Sequence, residues 1–372
     1  MQRFSLASFV FLPLLVACSS GGGSTYQPTP QSAPIQTQAL PEASIDAIAP
    51  SPSAPVAASS DLLYVGNTGN NSISVYRHDV QGHTAPLYVI AGSKTQINAP
   101  GQLSEDAQGN LYVTNGYDAE YGETRSTPAI LVFAHGAHGN VAPIRKLNLP
   151  AGLLNIQAMT VDQNTGKLFV FADAGNVQLG SVALRYAPNA NGNAAPLARA
   201  NAGFPAIQLA SDSTGVNLIE GHSGNSPSGV GYGVETMVKQ FPNNTAVSVK
   251  YEISWFGLSG LVDDPTTKTY LASSAGIGIY RLAENTQDSA GGPGIDLKPP
   301  VVSLITSDKC GGQLALGYLR NIYVIHKKAN QYCSTDAVYV YTHDASGNAA
   351  PLRILSGSAT KLDAPYGIFE GK

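Results

Sequence analysis

Residues 75–100 read VYRHDVQGHTAPLYVIAGSKTQINAP, and residues 340–365 read VYTHDASGNAAPLRILSGSATKLDAP. The two stretches align without a gap at an offset of 265 residues. A close copy near each end of a chain, with weaker copies between, is typical of a circular repeat fold in which each unit is one supersecondary element. The repeat therefore predicts an architecture and carries little information about chemistry.

Each repeat unit contains four predicted strands. The best-marked strand follows a turn, as in residues 109–113 (GNLYV) and 166–170 (GKLFV), and short runs of this kind predict strands in hairpins. An alternating strand follows it. A strand that starts at an Ala-Pro motif is expected to be outermost, because proline is tolerated at sheet edges. The marker position recurs every 48 to 57 residues, at Tyr64, Tyr112, Phe169, Leu218, Tyr270 and Tyr323.

These units predict an all-β fold, a six-bladed β-propeller of four-stranded antiparallel blades. The offset of 265 residues could also be divided into six steps of about 44 residues, which would connect seven units. Seven blades are therefore the alternative, although only six marker strands are found. The chain enters the repeat at a second strand, near Leu63, and ends just after an innermost strand at residues 367–369. The C-terminal strand is therefore expected to pair with the N-terminal blade and close the ring.

The repeat pattern also resembles a known group of propellers. Residues 365–368 (PYGI), 106–113 (DAQGNLYV) and 73–76 (ISVY) are similar to the NHL-repeat and SMP-30/gluconolactonase-like six-bladed propellers, in particular those of bacterial lipoproteins. The resemblance covers nearly all of residues 61–372 and is weak in the fourth and fifth units. Since this fold supports hydrolases, lactonases, oxidoreductases and binding modules, the resemblance implies a fold and leaves the activity open.

The N-terminal segment predicts export and a lipid anchor. Residues 1–17 have the basic start and short apolar run of a signal peptide, and residues 15–18 (LVAC) resemble a lipobox that would place a lipid on Cys18. A plain cleaved signal with a free Cys18, or an uncleaved anchor, are the alternatives. Because Ser19 follows the cysteine, the expected location is the cell envelope, at the outer membrane of a Gram-negative bacterium, on a side that the sequence leaves open.

The rest of the chain divides in two. Residues 18–60 are rich in Ser, Gly, Pro, Gln and Ala, a composition typical of a disordered tether. Residues 61–372 form the predicted propeller domain. The chain has a net charge of -4 and no basic run, which argues against nucleic acid and limits membrane contact to the lipid anchor. Cys310 and Cys333 predict one disulfide, or else two buried thiols, and they supply too few ligands for zinc.

The regular repeat positions are expected to be structural. Asp106, Asp162 and Asp212 recur where an Asp side chain caps its own turn, and the histidines at 78, 135 and 343 share another repeat position. Strand topology places these turns on one side of the ring, which we call the repeat face. It carries the turns between first and second and between third and fourth strands, and the opposite side is the insertion face.

Irregular insertions at residues 115–128, 221–233 and 326–336 lie mostly on the insertion face. Long loops on a regular scaffold are where binding usually resides. A second set comes from the position three residues beyond each marker, which is expected near the channel mouth. The predicted binding residues are Asn67, Asn115, Asp118, Glu120, Tyr121, Asp173, His222, Ser273, His326 and Tyr332.

The sequence favours a non-enzymatic, lipid-anchored binding or scaffold module for an envelope protein or glycan, without a cofactor. No serine elbow, HExxH helix or phosphate loop is present. The alternative is a metal-dependent lactonase or other SMP-30-like hydrolase. It would hold Ca²⁺ or Zn²⁺ on carboxylates such as Asp118, Glu120 and Glu123, whereas the channel-mouth positions are almost uncharged. A surface protein without a ligand is a third hypothesis.

Overall fold

The structure is a computed structural model, and it describes residues 37–39, 61–118, 123–173, 181–201, 208–211, 218–225, 232–238, 246–247, 258–267, 269–276, 278–283, 301–317, 319–328 and 332–371. The predicted signal peptide, Cys18 and most of the predicted tether lie outside these residues. Among the described residues, no helix is long and apolar enough to cross a membrane.

The chain folds into antiparallel sheets, each built mainly from consecutive strands. The first contains β2 (Leu62–Asn67), β3 (Ser72–Arg77), β4 (Tyr88–Ile90) and the last strand, β25 (Pro365–Gly371). The next contains β5 (Leu103–Glu105), β6 (Leu111–Asp118), β7 (Glu123–Phe133) and β8 (Arg145–Asn148). It is followed by β9 (Ile156–Val161), β10 (Leu168–Asp173), β11 (Ser181–Tyr186) and β12 (Ala198–Asn201), with β1 (Thr37–Ala39) at the edge.

Three further sheets complete the fold. They are formed by β13 (Gln208–Ser211), β14 (Leu218–Asn225), β15 (Tyr232–Val238) and β16 (Ala246–Val247); by β17 (Leu258–Asp264), β18 (Thr269–Ser274), β19 (Gly278–Ala283) and β20 (Val301–Ile305); and by β21 (Leu314–Leu316), β22 (Ile322–His326), β23 (Ala337–Tyr341) and β24 (Arg353–Ser356). Short 3-10 turns lie at Ser93–Thr95 and Ser358–Thr360.

The prediction of six four-stranded blades is wrong, and so is the seven-bladed alternative. The described residues form five four-stranded antiparallel blades, and the remaining sheet has five strands. The extra strand is β1, which pairs antiparallel with β12 so that Thr37 lies opposite Ala200. Because β1 comes from the segment predicted as a tether and has no repeat pattern, the sequence does not reveal it. The physical reason for its position is that an outer strand leaves an edge that an extended segment can cover.

The innermost strands lie side by side around a central channel. β5 contacts β9, β9 contacts β13, β13 contacts β17, β17 contacts β21, and β21 contacts β25, which returns to β5. The last strand pairs with β2, with Phe369 opposite Tyr64. The predicted closure of the ring by the C-terminal strand is therefore confirmed. It joins the first and last strands of the repeat, β2 and β25, in one sheet and removes an open edge.

The core lies between neighbouring sheets. Successive side chains of a strand point to opposite sides of its sheet. Here an adjacent sheet covers each side, so strands such as β2 and β3 are buried along most of their length. Tyr112 and Ile130 pack against Met159, Val170 and Leu184 of the next sheet, for example. The marker aromatics Tyr64, Tyr112 and Tyr323 are all buried, which explains why this position stands out in the sequence.

The repeated Gly turn joins one sheet to the next. Gly82 donates its N–H to the Ile354 carbonyl at 2.6 Å and accepts the Ser356 N–H at 3.0 Å, so the turn covers the edge of β24. Its φ of +65° lies in the left-handed region, which favours glycine. The same bridge occurs at four joints: Gly82 with Leu355, Gly139 with Ile90, Gly192 with Leu147, and Gly347 with Ile305. The repeat is therefore preserved where sheets connect.

Arginines make a second kind of joint. Arg145 donates to the Pro188 carbonyl at 2.7 Å and Arg281 to the His343 carbonyl at 2.7 Å. Arg353 donates to the His78 carbonyl at 3.1 Å. Each acceptor lies two residues after a tyrosine of the third strand in the following sheet. His78 and His343 thus contribute their backbone at this repeat position, which agrees with the structural role expected of them.

Candidate functional site

On the repeat face, the recurring aspartates cap their own turns as predicted. Asp106 Oδ1 accepts the N–H groups of Gln108 at 3.0 Å and Asn110 at 2.9 Å. Asp162 Oδ1 accepts the Asn164 N–H at 2.9 Å. Both carboxylates are buried and are satisfied locally, so the prediction is confirmed for these two residues. Asp212 lies outside the described residues.

A charged cluster forms around Asp264, a residue that the sequence patterns did not single out. Its carboxylate is fully buried and accepts hydrogen bonds from Arg281 Nη1 at 2.6 Å and Arg320 Nη2 at 3.0 Å. His343 Nε2 lies 2.6 Å from the same carboxylate, and Thr267 Oγ1 donates at 2.6 Å. These groups come from two neighbouring sheets, so the cluster fastens one sheet to the next.

The environment of Asp264 holds its carboxylate in the charged form. Burial alone would raise the pKa, but the hydrogen bonds from Thr267, His343, Arg281 and Arg320 outweigh burial and hold the pKa of Asp264 well below its usual range. The sequence did contain a signal. Asp264 is followed three residues later by Thr267, as Asp162 is by Thr165, whose hydroxyl also donates to its aspartate at 2.6 Å.

On the insertion face, the predicted channel-mouth asparagines bind neighbouring loops. Asn67 is fully buried; its Oδ1 accepts the Asp363 N–H at 3.1 Å and its Nδ2 donates to Ser74 Oγ at 3.1 Å. Asn115 Oδ1 accepts the Asn98 N–H at 2.7 Å. Each side chain holds the end of a second strand against the loop that leads into the innermost strand.

Asp173 and Ser273 make similar contacts. The Asp173 N–H donates to the Asn155 carbonyl at 3.1 Å, and its Oδ2 accepts Asn155 Nδ2 at 3.3 Å. Ser273 is fully buried and donates its hydroxyl to the Gly312 carbonyl at 2.5 Å. Four of the predicted binding residues are therefore engaged in positioning loops at the mouth. Their polar atoms shape the insertion face.

His326 is the centre of a denser group. Its Nε2 lies 2.9 Å from Asp308 Oδ2, and its ring stacks on Tyr339 with centroids 3.7 Å apart. Asp308 Oδ1 accepts the Cys310 N–H at 3.1 Å, and the Cys310–Cys333 disulfide is formed, with the two Cα atoms 5.3 Å apart. The predicted disulfide is confirmed. We call Asp308, Cys310, His326, Cys333 and Tyr339 the disulfide cluster.

Tyr332 lies at the surface beside this cluster, with 39% of its area exposed. A Cβ added to Gly276, in the loop between β18 and β19, would meet the Tyr332 ring at 2.9 Å, so the two loops touch. The sequence patterns pointed to His326, Tyr332 and both cysteines. They did not point to Asp308 and Tyr339, because neither belongs to the irregular insertions.

Two of the predicted insertions are partly extended hairpins. β6 and β7 continue to pair as far as Asp118 and Glu123, past a register shift between Asn115 and Tyr117. β14 and β15 pair as far as Asn225 and Tyr232, and β7 alone is 11 residues long. Asp118 and His222 lie on these strands. Their side chains, and all of Glu120 and Tyr121, are outside what the structure describes.

The channel contains a cavity of about 260 Å³ lined by all the innermost strands. Its walls combine apolar side chains such as Met159 and Leu261 with the polar Gln102, Asp263 and Glu370. Burial, together with the carboxylate of Glu370, raises the pKa of Tyr323 on β22. Tyr323 therefore remains a neutral phenol at physiological pH and donates to the His78 carbonyl at 3.0 Å.

No protein-family model matches the chain, and no curated protein matches it. Among solved structures, the crystal structure of a nidogen/laminin complex contains a chain that is 13% identical, covers 84% of this chain and 99% of its own length, and has a TM-score of 0.55. The crystal structure of the Myceliophteria thermophila Cps50 (Swd1) β-propeller domain is 8% identical and covers 79% of this chain and 83% of its own, with a TM-score of 0.48. At these identities the first likeness shows the fold alone: the chain is a β-propeller.

Proposed function

We propose that this protein is a lipid-anchored binding module of the cell envelope whose insertion face holds a partner protein. The observation that carries the proposal is the contrast between the two faces. Among the described residues, the repeat face consists of short turns such as those at Asp106, Asp162 and Gly82, whereas hairpins β6–β7 and β14–β15 extend the insertion face beyond the repeat. Elements that leave a regular scaffold in this way are where recognition usually lies.

A protein partner is favoured over a glycan by the nature of these elements. Paired hairpins that extend past the scaffold offer backbone edges to a partner chain, which suits recognition of a protein. One solved structure with a similar fold is that of a nidogen/laminin complex, which is compatible with a propeller that binds protein. The predicted binding residues Asp118, Glu120, Tyr121 and His222 belong to these hairpins or their connections, and Tyr332 is exposed in the loop between β22 and β23.

Crosslinking at defined positions tests the partner. A photoreactive amino acid replaces Asp118 or Glu123 at the β6–β7 hairpin in living cells, and Thr84 on the repeat face is the matched control. We expect the hairpin positions to give one discrete protein adduct, identified by mass spectrometry, and Thr84 to give none. Equal labelling at both faces, or labelling of glycan only, would contradict the proposal.

The anchor and location rest on the residues 15–18 motif and are tested separately. The segment between Cys18 and β1 would hold the domain off the membrane, and the repeat pattern supports a relationship to NHL-like lipoprotein propellers. Changing Cys18 to Ser should release the protein from the membrane fraction and block processing. Unchanged fractionation and processing would refute the lipid anchor and leave the binding surface to the crosslinking test.

A further inference from the structure

The disulfide cluster contains the donor set of a transition-metal site. Cys310 Sγ, Cys333 Sγ and a ring nitrogen of His326 lie within 4.8 Å of one another. Two thiolates and one imidazole match the ligands that tetrahedral zinc prefers, at about 2.3 Å for sulfur and 2.0–2.1 Å for nitrogen. Neighbouring ligands of such an ion are roughly 3.5–4 Å apart by that geometry, so small side-chain shifts would bring the three donors onto one ion.

We propose that the reduced form of this cluster binds one Zn²⁺ ion through Cys310, Cys333 and His326, and that the disulfide closes the site. In the oxidised chain the two sulfur atoms are bonded to each other and offer no thiolate. The imidazole alone is then a weak site. The state of the disulfide thus decides whether the insertion face carries a metal.

The conversion balances with a dithiol as reductant. The dithiol supplies two electrons and two protons to the Cys310–Cys333 bond and becomes a disulfide itself, which leaves two thiols on the protein. Binding of Zn²⁺ then replaces the proton on each thiol, so two protons are released to solvent. The charge of the ion is offset by the two thiolates, and His326 binds as the neutral imidazole.

The surroundings already position the ligands. Asp308 Oδ2 lies 2.9 Å from His326 Nε2, so in the proposed site His326 binds the ion through Nδ1 while Asp308 holds the second ring nitrogen, the usual arrangement of a zinc-bound histidine. Asp308 Oδ1 also accepts the Cys310 N–H at 3.1 Å. One carboxylate therefore holds two of the three ligands, and the Tyr339 ring fixes the plane of the imidazole.

The site is enclosed yet reachable. Cys310 is 3% exposed and His326 is 7% exposed, so bound metal would be shielded from competing ligands. Cys333 is only half-buried and follows the exposed Tyr332, which offers a reductant and an ion a route to the sulfur. The Tyr332 carbonyl lies 3.6 Å from Cys310 Sγ, so an oxygen is close to the fourth position, which water can also fill.

Cobalt titration tests the proposal. The full chain is purified oxidised, reduced with a dithiol under anaerobic conditions, freed of the dithiol and titrated with Co²⁺. We expect one Co²⁺ per reduced chain, with a thiolate-to-metal charge-transfer band and intense tetrahedral d–d bands, and their loss when Zn²⁺ is added. The oxidised chain should show none of these signals.

Variants distinguish metal binding at the folded three-ligand site from non-specific binding by two thiols. His326→Gln and Asp308→Asn should each weaken Co²⁺ binding by roughly tenfold or more, and the exposed His138→Gln should leave it unchanged. The same titrations in urea measure what the unfolded thiols bind, and there Asp308→Asn and wild type should be equal because the carboxylate no longer positions the ligands. The proposal is overturned if reduced wild type lacks the charge-transfer band, or if folded His326→Gln binds as tightly as wild type.

Discussion

At the scale of single residues, Asp264 shows how a repeat position acquires a new role. In two other sheets the equivalent aspartates, Asp106 and Asp162, cap a turn. In the β17–β20 sheet the same carboxylate keeps its threonine contact and adds Arg281, Arg320 and His343. A buried carboxylate is stable only when its charge and lone pairs are satisfied, and here partners from two sheets satisfy them.

Changing Asp264 to Asn should lower the free energy of unfolding at neutral pH by about 3–5 kcal/mol, because the buried Arg281 guanidinium loses its counter-charge. Since the folded-state pKa of Asp264 is depressed, wild type holds this stability above the unfolded pKa of about 3.9 and loses it as pH falls below that value. The stability gap between wild type and variant should therefore narrow from pH 5 downwards. Urea unfolding at several pH values measures it.

The matched control for this change is Asp79→Asn. Asp79 pairs with Arg77 at 3.1 Å, but both side chains are more than half exposed, and exposed pairs contribute little. Its substitution should leave unfolding almost unaltered. An equal loss in the two variants, or a gap that stays constant down to pH 2, would contradict the assigned role of Asp264.

At the scale of elements, glycines decide how closely strands meet at the channel mouth. Gly367, at the start of the innermost strand β25, faces the Gly101 carbonyl of the next sheet, and an added Cβ would collide with that carbonyl. Gly312 faces the Ile325 carbonyl in the same way. These are backbone contacts, so a side chain cannot be accommodated by a change of rotamer.

Changing Gly367 to Ala should lower the stability by about 2 kcal/mol or more, because the new methyl group forces β25 away from its neighbour. The control is Gly152→Ala, where φ is +87° but nothing lies within 4 Å of the added Cβ. That change should cost only the backbone strain of about 1 kcal/mol. Thermal unfolding compares the two, and a larger loss at Gly152 would refute the packing argument.

The disulfide acts on the loop between β22 and β23. Cys333→Ser should lower the free energy of unfolding by about 3 kcal/mol, the loop-closure value for a 23-residue separation. The matched measurement is the effect of a reducing agent, which should destabilise wild type by a similar amount and leave Cys333→Ser unchanged. If reduction in the absence of metal left the free energy of unfolding of wild type unchanged, the Cys310–Cys333 disulfide would not contribute to stability.

At the scale of the whole molecule, the sequence predicts the elements that recur in each repeat unit, and it misses contacts between segments that are distant in the chain. The marker strands and the capped turns follow from local patterns such as residues 109–113, the closing strand follows from the copy at residues 340–365, and the disulfide follows from the presence of two cysteines in the propeller domain. The fifth strand β1 and the Asp264 cluster do not, because each depends on contacts between segments far apart in the chain. Gly82 and Gly347 lie within the two aligned stretches, but the pairing of their turns with a neighbouring sheet is visible only in the structure.

Ring closure is the property on which the whole molecule depends. Ending the chain at Ala364 removes β25, which leaves β2 without its inner partner and exposes the apolar contacts of Ile368 with Leu63 and Val65. We expect this truncation to abolish the single cooperative unfolding transition and to make the protein aggregate, because an unpaired edge beside exposed apolar surface invites intermolecular pairing. Removing only Lys372, which follows the last paired residue, is the control and should leave the melting temperature unchanged. Calorimetry and light scattering compare the two truncations. A folded, monomeric protein ending at Ala364 would show that the joints between sheets hold the ring without its closing strand.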